Sequence, residues 1–204
     1  MKKTFFSILL LASCLMAAAA DPFRTFASRV AASCVSFDYT FESMHDGVKF
    51  TGDGSAAVQG EAFRMEGNGL KIFSDGKTRW TVDADAQELI IEPVDAAATD
   101  FISNPALLVS AADKAFDAVP AGAATFKGQT VSAYSLTPRK DVGISRLQLY
   151  FRQDELVGVS LTVDDGTTSE FALSHLAFAD PGSLAAFRYD ERSAGSGWVV
   201  TDLR

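Results

Sequence analysis

Two cysteines, two histidines and a shortage of positive charge limit what this 204-residue chain can do. His45 and His175 stand far apart, and neither has ligand spacing to a second His or Cys. Each therefore reads as a satisfied core or boundary histidine, and no metal site is expected. Asp83 and Asp85 begin like a calcium loop, but the other positions of that motif are missing. Asp164 and Asp165 suit a hairpin turn. No G-x-S-x-G elbow, P-loop or dinucleotide fingerprint occurs. The polar residues alternate like the solvated face of a sheet instead of gathering, so no catalytic residues, no enzyme activity and no cofactor are expected. Eighteen Lys and Arg against 26 Asp and Glu give a net charge of −8, which repels phosphate backbones and disfavours nucleic acid.

Long apolar runs are also lacking. Phe5–Leu11 is too short to span a bilayer, and no later stretch is long enough. With Lys2 and Lys3 before it and Ala17–Ala20 after it, the run reads as a secretory signal over residues 1–20. Residues 21–204 then form a single domain, made more acidic by loss of the two lysines. A second reading stands beside this one. Leu11-Ala12-Ser13-Cys14 looks like a lipobox, which would leave the protein lipid-anchored through Cys14. Cleavage after Ala20 leaves only Cys34, so no internal disulfide can form and the apolar core must hold the fold. Cys34 reads as a small buried hydrophobe.

What the chain does contain is periodicity. Asp21 can cap a helix, Pro22 suits its first turn, and Phe23, Phe26, Ala27, Val30 and Ala31 recur at helical spacing. From Val35 the period becomes two: Val35, Phe37, Tyr39 and Phe41 alternate with polar residues. Short strand-like runs follow at 54–59, 62–66, 70–74, 79–83 and 88–92, with Asp75-Gly76 as a hairpin signal. Between Thr99 and Val119 the pattern breaks, and Phe101, Ile102 and Ala106–Val109 suggest short helical pieces restarted at Asn104-Pro105. Strands return at 130–137, 145–152, 157–163 and 169–176. These features predict an α+β, mainly β chain: antiparallel strands in a curved sheet with helices on one side. Sixteen Phe, all but Phe5 and Phe6 beyond the signal, are compatible with either a phenylalanine-rich core or an apolar cavity.

The stretch Phe73–Trp80 (FSDGKTRW) resembles the SDGKT-x-W hairpin of the periplasmic outer-membrane lipoprotein carriers, the LolA family. Ala62–Glu66 (AFRME) and Glu88–Ile91 (ELII) flank it as strands do in that family. Asn104–Ser110 (NPALLVS) is similar to the P-A-L-L-L-S segment that begins the family's lid, and Val199–Arg204 (VVTDLR) resembles the ending of one branch. The resemblance implies an incomplete antiparallel β-barrel round an apolar cavity, with short helices as a lid. It further implies a monomeric periplasmic carrier that shelters the acyl chains of lipoproteins between the inner and outer membranes. An inner-membrane releasing transporter and an outer-membrane acceptor would be its partners. A lipid-anchored acceptor or a lipid-sensing regulator of the same fold are the rival readings. One departure stands out. Some members carry a lid-latching arginine before the hairpin, whereas the comparable Val58–Glu61 (VQGE) has none and Arg64 is offset.

Alternation places every second residue of a curved sheet on its concave face. The expected cavity residues are Phe37, Tyr39 and Phe41, Ile72, Trp80 and Val82, with Leu147, Leu149 and Phe151. Phe101, Ile102, Leu107 and Leu108 are expected on the lid. Each can equally serve as plain core packing.

Overall fold

The computed structural model describes residues 21–94 and 105–204. Helix α1 spans Pro22–Ala32 and opens as its sequence requires. The Asp21 carboxylate accepts from the backbone N–H groups of Phe23 and Arg24 at 3.0 and 3.3 Å, satisfying donors that the first turn leaves free. Phe23, Phe26 and Val30 form its buried face.

A first meander follows: β1 (Cys34–His45), β2 (Val48–Gln59), β3 (Ala62–Gly67), β4 (Leu70–Ser74), β5 (Thr78–Asp83) and β6 (Glu88–Pro93). Helix α2 (Pro105–Ala115) leads into a second: β7 (Phe116–Phe126), β8 (Gln129–Pro138), β9 (Ile144–Arg152), β10 (Glu155–Val163) and β11 (Thr168–Ala179). Strand β12 (Val199–Asp202) ends the chain. All twelve strands join one curved, unclosed sheet in the order β12-β6-β5-β4-β3-β2-β1-β11-β10-β9-β8-β7. The pairing of β1 with β11 fuses the two meanders. Every neighbouring pair is antiparallel except β12 on β6, which is parallel. At Asp46-Gly47, Asn68-Gly69 and Lys127-Gly128 both residues have positive φ, the requirement of the tight hairpin turns whose twist matches that of the strands.

Strands are expected to return only at Thr130, and the structure corrects this: α2 ends at Ala115 and β7 begins at Phe116. Its sequence, FDAVPAGAATF, lacks the usual strand pattern because β7 is an edge strand that buries only its two end phenylalanines. Pro120 and Gly122 mark a bulge there, which blunts an edge that could otherwise pair with another chain.

The main core lies on the concave face. Phe23, Phe26 and Val30 of α1 and Ala106, Val109 and Ala112 of α2 pack there against β1–β3 and β8–β11. A smaller cluster lies on the opposite face. There Trp80, Val82, Leu89 and Ile91 meet Tyr189, Ala194 and Trp198 of the C-terminal segment. That segment carries two 3₁₀ turns, Leu184–Phe187 and Glu191–Ser193, and buries Phe187 against Ala57 and Ala62.

Polar contacts fasten the segment down. Arg188 Nε donates to Asp75 Oδ2 at 2.7 Å, and the Asp75 side chain is only 4% exposed. Asp75 Oδ1 also accepts from the backbone N–H groups of Lys77 and Thr78, each at 2.9 Å. Trp80 Nε1 donates to Glu191 Oε1 at 2.9 Å, and Arg204 pairs with the same carboxylate at 3.1 Å. The SDGKT hairpin therefore owes its Asp to two local backbone donors and one distant arginine.

Burial opposes ionisation of Asp75, but the N–H groups of Thr78 and Lys77 and the Arg188 guanidinium outweigh it and hold the carboxyl below its ordinary value. The resulting stabilisation is fully present above the ordinary carboxylate pKa and is lost as pH falls through the lowered value. We predict that Asp75→Asn lowers unfolding free energy by roughly 1–3 kcal/mol at neutral pH. Denaturant melts over an acidic pH series should show the gap to wild type shrinking as pH falls; a constant gap would contradict this account.

Candidate ligand-binding interior

Cross-strand register builds the inner face in rows. One runs Gly52, Phe41, Phe171, Val159, Leu149, Tyr134 across six strands from β2 to β8. The next runs Phe50, Ser43, Ser169, Leu161, Leu147, Leu136. Its two serines would be costly on an apolar face if unpaired, and their hydroxyls bond to each other at 2.6 Å. Glycine makes room for the aromatic rings. A Cβ added at Gly54 would lie 2.6 Å from the Tyr39 hydroxyl oxygen, and one at Gly52 would lie 2.6 Å from the Phe41 ring. Burial, and then the charge of Asp53, pushes the Tyr39 hydroxyl pKa up, so it stays a neutral lining group.

The helices fill this concavity. The Phe26 ring meets Phe151 edge-on at 5.7 Å and Phe178 at 6.3 Å, while Phe23 stacks on Tyr134 at 5.8 Å. The Tyr134 hydroxyl donates to Asp21 Oδ1 at 2.8 Å, so one carboxylate both caps α1 and ties it to β8. Burial, with the bond to Asp21, raises the Tyr134 pKa. Among its described side chains, α2 contributes Ala106, Val109 and Ala112. At the open end of the same face Phe50 and Val48 are 56% and 54% exposed, an apolar rim leading inward to Phe41.

The structure sorts the expected cavity residues. Phe37, Tyr39, Leu147, Leu149 and Phe151 are buried together in the main core, and Phe41 and Ile72 pack partly buried against it. Trp80 and Val82 do not join them. Within β5 they sit on the sheet's other face, in register with Ile91 and Leu89, beneath the C-terminal segment. Alternation correctly puts Trp80 and Val82 on one face, but the register that decides which face comes from the neighbouring strands. Phe101 and Ile102 lie outside the described residues, and so do the side chains of Leu107 and Leu108 on α2. Phe171, Val159 and Leu161 belong to the same core without being among the expected residues, although the alternation in 157–163 and 169–176 carried the signal.

Arg64 also faces outward. Its neighbours Phe63 and Met65 point into the main core, so the side chain between them leaves the opposite face and cannot reach α2. Among the described residues no group of three or more His, Cys, Asp or Glu could hold a metal, and no helix is long and apolar enough to cross a membrane.

No curated protein matches the sequence. Among solved structures, an uncharacterised conserved protein from Thermus thermophilus superposes with a TM-score of 0.54 at 9% identity, covering 89% of this chain and 96% of that one. A LolA superfamily protein from Nitrosomonas europaea has a TM-score of 0.44 at 7% identity, covering 82% and 97%. At such identities the likeness concerns the fold alone. Residues 37–190 match the family described as outer membrane lipoprotein carrier protein LolA, a span that holds the hairpin, α2 and eleven of the twelve strands in whole or part. The chain belongs to the LolA family.

Proposed function

We propose that this protein is a periplasmic carrier that shelters the acyl chains of lipoproteins in its concave interior on their way to the outer membrane. The observation that carries the reading is an apolar concave face closed by the protein's own helices, with family membership beside it. A buried acyl chain of ~15 methylenes gains roughly 12 kcal/mol gross, which a carrier must partly offset to release its cargo. Helix packing provides the offset, because the interior must expel its own side chains before it admits a ligand. Helix α1 buries two phenylalanines and is tied to β8, so we assign the yielding element to α2. The acyl contacts we assign are Phe37, Tyr39, Phe41, Ile72, Leu147, Leu149 and Phe151, with the segment holding Phe101, Ile102, Leu107 and Leu108 as the lid. Delivery from an inner-membrane transporter to an outer-membrane acceptor belongs to the same proposal. Cys14 keeps a second reading open, an anchored acceptor with the same interior; the mass of the mature N-terminus separates the two.

Purified protein should hold a triacylated lipoprotein soluble without detergent, and the same protein lacking its acyl chains should bind orders of magnitude more weakly. Equal binding of both forms, read by sedimentation and titration calorimetry, would falsify the carrier reading.

Val109→Ala should lower stability by roughly 1–2 kcal/mol yet tighten acyl binding, by up to about tenfold, because it weakens the packed state that competes with the ligand. Weaker binding in that variant would show that α2 holds the ligand instead of excluding it.

Both tryptophans, Trp80 and Trp198, lie in the outer cluster. Acyl binding should therefore leave tryptophan emission unshifted, and Trp80→Phe should leave acyl affinity unchanged. A large emission shift on binding would place the ligand on the wrong face for this proposal.

A further inference from the structure

The sheet's outer face carries an open polar groove of about 450 Å³, ringed by Ser36, Asp38, Ser55, Arg64, Lys71 and His175. An adjoining groove of about 620 Å³ shares Asp38, Ser55 and Glu66 and continues past Asp53 and Asn68. His175 marks this place. It holds φ +52 inside β11, whereas the other non-glycine residues of positive φ, such as Asp46, Asn68 and Lys127, stand between strands at turns. Pairing of β1 with β11 slips between Ser36 and Asp38, so residues 175 and 176 oppose Phe37 alone in a bulge. Glycine would take this conformation at less cost, and backbone outliers of this kind concentrate at functional sites. The bulge turns the imidazole over the groove, with Nδ1 2.8 Å from Asp38 Oδ2. Lys71 is likewise paired, with Glu66 at 2.7 Å. Of the groove's arginine and lysine, Arg64 alone has no carboxylate partner among the described residues.

We propose that this groove binds the carboxylate of an extended peptide. The planar fork of Arg64 takes both oxygens, beside the hydroxyls of Ser36 and Ser55. Asp53, Glu66 and Asn68 at the other end accept N–H groups of the peptide chain. A monoanion fits better than phosphate, because Asp38 and Glu66 already balance Arg64 and Lys71 and would repel a dianion more strongly. The site lies across the sheet from the acyl interior, so it concerns a different ligand and stands independently of the carrier reading.

The test is a nuclear magnetic resonance titration of the folded mature protein, following the His175 imidazole and the Arg64 guanidinium. The probes are N-acetyl-tetraglycine with a free carboxylate, its C-terminal amide, N-acetyl-Gly-Gly-Asp-Gly-amide and inorganic phosphate. At least one of the two carboxylate peptides should bind saturably, and the tighter of them identifies a terminal or a side-chain source; the amide should not bind. Arg64→Gln should weaken binding about tenfold, whereas Lys140→Gln, remote and exposed, should not. His175→Gly, which suits the left-handed backbone, should also weaken it while the melting temperature is kept. Equal affinity for acid and amide, unchanged binding in Arg64→Gln, tighter binding of phosphate, or no saturable shift with either carboxylate would overturn the proposal. Acyl binding measured on the same variants should be unaltered, which separates failure here from failure of the carrier reading.

Discussion

A curved sheet with one apolar concave face cannot leave that face in water, and this constraint organises the whole molecule. Rows such as Phe41, Phe171, Val159 and Leu149 present far more apolar surface than a sheet can expose. Something must cover it. In this structure the cover is α1 and α2, whose buried faces complete the main core. A sheet that closed fully into a barrel would have no need of them. The open sheet does, and the same concavity that the helices fill is one that a long apolar ligand can compete for.

Helix α1 is held by its rings and by one hydrogen bond. Phe23 and Phe26 interlock with Tyr134, Phe151 and Phe178, and Asp21 joins the helix cap to the Tyr134 hydroxyl. Displacing α1 would expose several rings and strand a buried hydroxyl. Among its described side chains, α2 adds Ala106, Val109 and Ala112 to the same core. Burial free energy follows apolar area, so the rings of α1 make that helix a fixed wall of the interior.

The sheet is also sealed on its other side, by different means. Phe187, Tyr189 and Trp198 lie over Ala62, Phe73 and Trp80, and the carboxylates of Asp75 and Glu191 tie the segment to the hairpin and the chain end. The hairpin motif is thereby structural: its Asp shapes the turn, and its Trp belongs to the outer cluster. Between this sealed region and β11 the outer face stays open and polar, where Arg64 and the His175 bulge stand.

Local signals were enough for much of the fold. The Asp21 cap, the alternation from Val35 to Phe41 and the Asp75-Gly76 turn each act over a few residues, and each appears as expected. Strand β7 left no such signal, because an exposed edge strand needs neither an apolar face nor β-branched residues. Local pattern also fixed which side chains share a face, such as Leu147 with Leu149 and Phe151, or Trp80 with Val82. Which of the two faces each set would occupy was decided only when strands paired. Register carried Leu149 to Val159 on the inside and Trp80 to Ile91 on the outside. The reason is the two-residue period of a strand: it says that neighbours alternate, and leaves the choice of side to whatever packs against them.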